Sequence, residues 1–480
     1  MTVLPADLPA GVVHAQGDGG HPLPSSPNVS MFRPRDVHGV LRPGSVDEVR
    51  AVVRAFADAP DAESRPRLHA VSTGRNWGLG SREPARDGVV TVELDRLAEI
   101  RELNIDEGWA VVEPGVTQLR LAELLKGTDR MLNVTASSGH TSVLGNTVDR
   151  GVGLRRQRTA DLAGLEVVLP DGELIRVGWW PDPAVTTCVN PQGLGPSPLA
   201  LFTQSDFGIV TAAVVRLLPR PEAQRVVRLS FPRERLSAAV DELRRWTAQG
   251  LVRGVLKIYD TVSADSYGGD PGAYQAHVCV DGTARSVEAM TRAIEAEAAA
   301  SELFTACVRS DVEPAGDDVV ARVVESAYSG DPSHNEEMLR SAVGQDAAEV
   351  DAAGGGWIFF LPLVPFTGAA ITRARELLDQ VQAETGTAAG CTVNALDCDV
   401  IDLVVSLRFP RTEQDARRAH HALDRIHELF TGAGFVPYRL DADHHDWIDR
   451  LSPDAAARAF VRRLKETVDP RGVIAPGRYA

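Results

Sequence analysis

A chain of 480 residues, 44% hydrophobic and 24% charged, can bury a sizeable core and by length holds roughly two or three domains of ~100–200 residues each. Its 50 Lys and Arg against 66 Asp and Glu leave a net charge of −16, which argues against nucleic acid as the main partner because phosphate neutralisation needs a basic face. No run of about 18 apolar residues predicts a membrane span, no secretory leader is apparent, and five scattered cysteines with no CxxC pair fit reduced thiols in a cytoplasmic protein.

Residues 1–30 are rich in Pro, Gly and Ser and read as an arm. Ser45 and Glu48 then form a capping box ahead of Val49, Val52, Val53 and Phe56, which share one helix face. The run from Val71 through Ser72, Thr73, Gly74, Arg75, Asn76, Trp77, Gly78, Leu79 and Gly80 to Ser81 follows, before a strand near 89–95. Glycines let successive N–H groups turn toward an anion, so a phosphate nest and an ordinary surface turn are both open at this point. A strand at 109–113 stops at Pro114 and Gly115, and a helix from about 117 to 125 is expected to bury Leu119, Leu121, Leu124 and Leu125. A second glycine-rich segment runs from Ser137 to Gly153. A hairpin (165–169 and 174–177 around Pro170, Asp171 and Gly172) comes next, and Gly208, Ile209 and Val210 open another strand. From about 222 the texture changes. Helices at 236–249, 284–302, 369–384 and 413–432 alternate with strands at 226–231, 255–259, 277–280, 357–363 and 401–409, which predicts a separate α+β domain with a helix-covered sheet. Near the C-terminus Ser452 is expected to cap a helix with Pro453 at its first position.

Five stretches in order (72–80, 144–153, 201–210, Tyr438 with Arg439, and 469–478) carry a likeness. Over about residues 30–480 the chain resembles the vanillyl-alcohol oxidase / p-cresol methylhydroxylase flavoproteins, in the eugenol oxidase-like, 4-phenol-oxidising branch. The resemblance implies an α+β fold: a PCMH-type, two-subdomain FAD-binding domain from 1–222 and the returning segment 438–480, with an α+β cap at 223–437 whose antiparallel sheet is covered by helices. It implies that Val71, Ser72, Thr73, Gly74, Arg75, Asn76 and Trp77 wrap the FAD pyrophosphate. Ser142, Gly145, Asn146, Asp149 and Gly151 would line the other side, Gly208, Ile209 and Val210 would lie near the adenine or ribitol, and Arg478 would close over the flavin. No GxGxxG follows a strand and opens a helix, so this is not the Rossmann solution.

The departures bear on the substrate. Phenol-oxidising members hold the phenolate with two tyrosines and an arginine; Tyr438 and Arg439 match, but Leu79 replaces the other tyrosine, a loss of about 1–3 kcal/mol if that pocket is used. Ser137 stands where some members place an aspartate beside the flavin, which leaves His140 or Tyr438 as candidate base. Trp357 stands where a histidine would bind FAD covalently, and Asn76 occupies the position of a second such histidine, so noncovalent FAD is expected. After Gly153, Arg155, Arg156 and Arg158 suggest either a rim for an anionic substrate or a solvated loop. His420, His421 and His427 lie on one predicted helix with adjacent positions pointing apart, and His444 and His445 follow; no metal centre is expected. Asp397 and Asp399 read as a solvated strand entry.

These residues point to an FAD-dependent oxidoreductase, oxidase or dehydrogenase, that takes a hydride from a small aromatic or anionic substrate in specialised metabolism. Arg439 would stabilise the reduced flavin, and Tyr438 would orient the substrate or take its proton. Oxygen or an electron carrier would be the acceptor, a homodimer is open, and neither nucleic acid nor membrane is expected as partner. Two alternatives stand beside this: a 2-hydroxy-acid or sugar-type dehydrogenase on the same fold, which the arginine run favours, and a flavin-binding protein without turnover, for which Leu79 and Ser137 count.

Overall fold

A computed structural model describes residues 4–17, 22–59, 65–182, 184, 188–266 and 272–479. In the N-terminal half, the strands Asp36–Leu41, Val89–Glu93 and Arg67–Val71 pair in parallel, with Val89–Glu93 in the middle. The helix Val46–Asp58 crosses between the two outer strands and buries Val49, Val52, Val53 and Phe56 on them, as its periodicity predicts. Its capping box is offset by one residue: Ser45 Oγ accepts from the Glu48 amide at 3.2 Å, but Glu48 reaches back to the Gly44 amide at 2.6 Å. The chain returns here at its far end. Leu68 N donates to Val473 O and Ala475 N donates to Leu68 O, both at 2.8 Å, adding the tail to the sheet edge.

A second, antiparallel sheet runs in the order Leu174–Gly178, Leu162–Val168, Ile209–Arg216, Trp109–Val112 and Ile100–Asn104. The predicted hairpin is its first pair, turning at Gly172 with φ +82°. The helix Gln118–Leu124 packs on this layer through Leu121 and its C-cap residue Leu125. Leu124, expected inside, is 51% exposed, because it lies on the far side of a helix of two turns.

The third sheet is antiparallel and eight-stranded, in the order Ala306–Arg309, Ala223–Phe231, Tyr274–Gly282, Leu256–Tyr259, Ala389–Ala395, Val400–Phe409, Gly356–Pro365 and Pro437–Arg439. Tyr438 and Arg439 therefore hang from the edge of this cap sheet, beside Leu361 and Pro362. The helices Leu236–Ala248, Ala284–Ser301, Gly368–Thr385 and Glu413–Gly432 cover one face, where Leu256, Ile258, Ile358, Phe360, Val393, Leu403 and Val405 join one core. Side chains alternate across a strand, so Lys257, Tyr259, Trp357, Phe359, Asn394 and Asp402 point the other way, toward the FAD-binding half. Two helices of this region, Val319–Tyr328 and Asn335–Val343, fall outside the predicted elements. At the C-terminus the cap of Ala455–Val468 is Asp454, whose carboxylate accepts from the Ala456 and Ala457 amides. Ser452 instead ends the preceding short helix. Among the described residues no helix is long and apolar enough to cross a membrane, and Cys188, Cys279, Cys307, Cys391 and Cys398 are all free thiols.

Candidate active site

A cavity of about 480 Å³ lies between the two halves. One wall is built from the two glycine-rich segments. After the strand Arg67–Val71 the chain runs through Ser72–Ser81 with the amides of Thr73, Gly74, Arg75, Asn76 and Trp77 donating to no protein acceptor among the described residues. Side chains of this loop are anchored elsewhere: Arg75 donates to Ala347 O at 2.7 Å and Trp77 Nε1 to Asp351 Oδ2 at 3.0 Å. Asp351 also accepts from Ser81 Oγ at 2.5 Å and the Val29 amide at 2.9 Å, which ties the arm, the loop and the cap together. What the loop leaves toward the cavity is backbone. Gly78, at φ +80°, touches the cap; a Cβ there would sit 2.2 Å from the Phe359 ring, and the Phe359 amide donates to Gly78 O at 2.8 Å. Gly145 does the same for the second segment, since a Cβ would lie 2.3 Å from Ser72 Oγ.

Ser142, Gly145, Asn146 and Asp149 line this wall with Ser137, Gly208, Val210 and Arg478. Gly151 and Ile209 do not line it. Gly151 lies under the Asn146 side chain, and Ile209 points into the core beneath the parallel sheet. Asn146 Oδ1 is buried without a partner among the described residues. Ser137 Oγ pairs with Thr135 Oγ1 at 2.6 Å, and the segment is clamped by Asn335, which donates to Thr135 O at 2.8 Å and to Ser137 O.

The opposite wall is the inner face of the cap sheet. Register places Lys257 opposite Asn394 and Asn394 opposite Asp402. Lys257 Nζ donates to Asn394 Oδ1, Asn394 Nδ2 to Asp402 Oδ2 at 3.2 Å, and Tyr438 Oη to the same Oδ2 at 3.4 Å. Burial pushes the Asp402 carboxyl up to about 6, against the pull of Asn394, Lys257, Arg439 and Tyr438. Burial lowers Lys257 to about 8, partly offset by Asp402. Burial also drives the Tyr438 hydroxyl well above its ordinary value. Arg439 donates to Asn76 Oδ1 at 3.0 Å and to Asp149, which also accepts from Tyr479 Oη at 3.0 Å. Burial opposes the Arg439 charge, but Asp149 outweighs it and the guanidinium is held protonated. Trp357 and Phe359 meet edge to face at 4.5 Å and, with the buried Leu79 and Leu361, form the apolar lining; Trp357 Nε1 donates to Ser406 Oγ at 2.8 Å.

Residues 37–178 match the family described as FAD binding domain. The chain is 29% identical to the 1'-carboxy-chondrochloren decarboxylase of Chondromyces crocatus, over 92% of this chain and 90% of that protein. It is 24% identical to the 4-cresol dehydrogenase (hydroxylating) flavoprotein subunit of Pseudomonas putida, over 90% and 86%. Its fold matches p-cresol methylhydroxylase with substrate bound at a TM-score of 0.83 and 23% identity, covering 93% of this chain and 89% of that one. Over nearly its full length the chain is similar to PCMH-type FAD-binding flavoproteins. It is an FAD-dependent oxidoreductase. The first wall suits the cofactor: free amides answer a diphosphate, and the unpartnered Asn146 carbonyl and the glycine contacts leave a cradle that added methyl groups would fill.

The geometry of this flavoprotein corrects the arginine reading. Arg155 lies outside the cavity, donating to Asp281, to Gln224 Oε1 at 2.6 Å and to Tyr328 O at 2.9 Å. Arg156 pairs with Asp161 at 2.7 Å, and Arg158 is buried beneath Gln118 and Val143. All three hold the fold, because each finds an acceptor in a neighbouring element. His140 likewise does not line the cavity. Of the histidine cluster, His427 and His444 converge with Asp441, their ligand atoms within 4.8 Å of one another. The rings stack at 3.8 Å and 8°. Parallel planes 3.8 Å apart cannot both contain one ion, so the trio is a hydrogen-bonded stack, with His444 Nδ1 2.9 Å from Asp441 and His427 Nε2 3.2 Å from it. Asp397 and Asp399 sit in an exposed turn, where Asp397 accepts the Asp399 amide at 2.7 Å. Lys257, Asn394 and Asp402 were not singled out by the sequence. Their signal is a polar residue in mid-strand, as in Leu256-Lys257-Ile258 and Ile401-Asp402-Leu403.

Proposed function

We propose that the protein oxidises a small substrate at a C–H bond held between the glycine loops and the inner face of the cap sheet. Bound FAD supplies the hydride acceptor, and no covalent bond holds it, since Trp357 and Asn76 offer no tether. The observation that carries this reading is one continuous cavity lined both by the loop with unpaired amides and by Tyr438, Arg439, Asp402 and Lys257. Arg439 is a fixed cation whose Nε has no partner among the described residues, so it is free to offset negative charge that develops as the hydride leaves. Tyr438 hydrogen-bonds a carboxylate poised near 6. A substrate proton can therefore pass to the Tyr438–Asp402 pair close to neutral pH. The apolar lining of Leu79, Trp357, Phe359 and Leu361 suits an aromatic or alkyl body. The two relatives that match nearly end to end support this: one is named a decarboxylase of a carboxylated compound, the other a cresol dehydrogenase.

Two measurements on the purified protein test the reading. Acid or detergent denaturation should release the yellow chromophore from the polypeptide; a fluorescent protein band would refute noncovalent binding. Anaerobic addition of a panel of phenols and small acids should bleach the flavin with at least one member, and a flavin that none of them reduces would count against turnover.

A further inference from the structure

Lys257 is the one charged group of the cap wall that hydride transfer leaves without a task. It is 6% exposed and sits in mid-strand with Leu256 and Ile258 buried behind it. An ammonium carries three donors. One goes to Asn394 Oδ1, and the nitrogen stands 5.5 Å over the Tyr259 ring. No carboxylate pairs with it among the described residues: Asp402 is the next residue along the same cross-strand row, but Asn394 stands between them and takes the Asp402 bond itself. A buried cation with a single neutral acceptor is costly unless something anionic completes it. Its neighbour shows the same incompleteness, since Asp402 Oδ1 is buried without a partner. Lys257 lines the cavity together with Trp357, Phe359, Tyr438 and Arg439, and Tyr438 reaches the same polar row through Asp402.

We propose that Lys257 anchors a carboxylate of the substrate, so that the protein takes small carboxylic acids with an apolar body rather than neutral phenols. The acid group would lie on Lys257, the body along Trp357 and Phe359, and the reacting end toward Arg439. This rests on the reading of the cavity as the substrate site. A carboxylate completes the ammonium with one or two charge-assisted hydrogen bonds and leaves Asn394 in place.

The test compares 3-(4-hydroxyphenyl)propanoate with its neutral amide, which have the same size, by perturbation of the FAD spectrum of the holoenzyme. The acid should bind about tenfold or more tightly than the amide, as a charged hydrogen bond predicts. Two variants should collapse this preference to about one. Lys257→Met removes the cation, and Asn394→Asp keeps it but pairs it internally; thermal unfolding and FAD content show which of them fold. A preference retained in either folded variant, or a wild type that binds neither probe or both alike, overturns the proposal. Anaerobic bleaching separates this from the oxidation reading. An acid preference that depends on Lys257 without bleaching keeps the anchor and removes the oxidation, whereas bleaching without preference does the reverse.

Discussion

The two walls of the cavity are assembled differently. The FAD-side wall is built mainly from two short segments, 72–81 and 142–153, each continuous in sequence and joined by Ser137, Gly208, Val210 and Arg478, and what the first segment offers is mainly backbone, with Arg75 and Trp77 turned to Ala347 and Asp351. The cap-side wall is all side chain. Lys257 and Asn394 meet across 137 residues, and Asp402 and Tyr438 across 36, joined only by strand register. A backbone wall tolerates side-chain change as long as glycine stays where chains touch. A register wall depends on every strand that sets it, because a slip of one residue would turn Lys257, Asn394 and Asp402 into the helix-covered core.

The largest effect should come where the walls meet. Arg439 bridges them, rooted in the cap edge and bonded to Asn76 of the first loop and Asp149 of the second. Arg439→Ala should slow flavin reduction by roughly 10²–10³-fold, the range seen when a preorganised donor to developing charge is lost. FAD should still be retained, because the loop amides are untouched. Stopped-flow reduction together with flavin content reads both; unchanged reduction would remove Arg439 from the chemistry.

The cap wall should also reveal itself through pH. The folded Asp402 carboxyl is raised to about 6 from an ordinary 3.8. Its contribution to stability is therefore fully present below about 4 and is lost as pH rises through about 6. Asp402→Asn cannot ionise, so relative to wild type it should gain about 3 kcal/mol between pH 4 and 7.5. Urea unfolding at both pH values measures this, and a difference that does not change with pH would mean the carboxyl is not held protonated by burial.

Legibility in the sequence follows the same division. The glycine loops, the hairpin at Gly172, the helix at Val46–Asp58 and the four helices over the cap sheet were readable because each is set by local pattern. The row Lys257–Asn394–Asp402 was not, although two of its strands were expected, since register is fixed by partners far away in the chain. The arginine run failed for a related reason. Three positive charges in four positions look like a binding rim, but only tertiary structure reveals that Asp281, Asp161 and Gln118 are waiting for them. Arg155→Ala puts this to the test. It leaves Asp281 without its cation and should cost roughly 3 kcal/mol of stability, seen as a lower Tm, while KM stays unchanged. A raised KM with an unaltered Tm would restore Arg155 to the substrate site.

The smallest effect tests the claim that the FAD wall is backbone held by contact. Gly145 approaches Ser72 so closely that a methyl group would lie 2.3 Å from its Oγ and 3.2 Å from that of Ser142. Its amide also donates to Ser142 Oγ at 2.9 Å, a bond within the second segment that fixes Gly145 where it faces Ser72. Gly145→Ala must therefore move one segment away from the other, at about 1–3 kcal/mol for overpacking of this kind. That energy falls on the cradle and not on the cap sheet. FAD affinity should weaken by about 5–150-fold, whereas the pH response attributed to Asp402 should persist in the FAD-saturated variant. If FAD binding survived intact while the pH response vanished, the two walls would be coupled through the loops, and the division between a backbone wall and a register wall would fall.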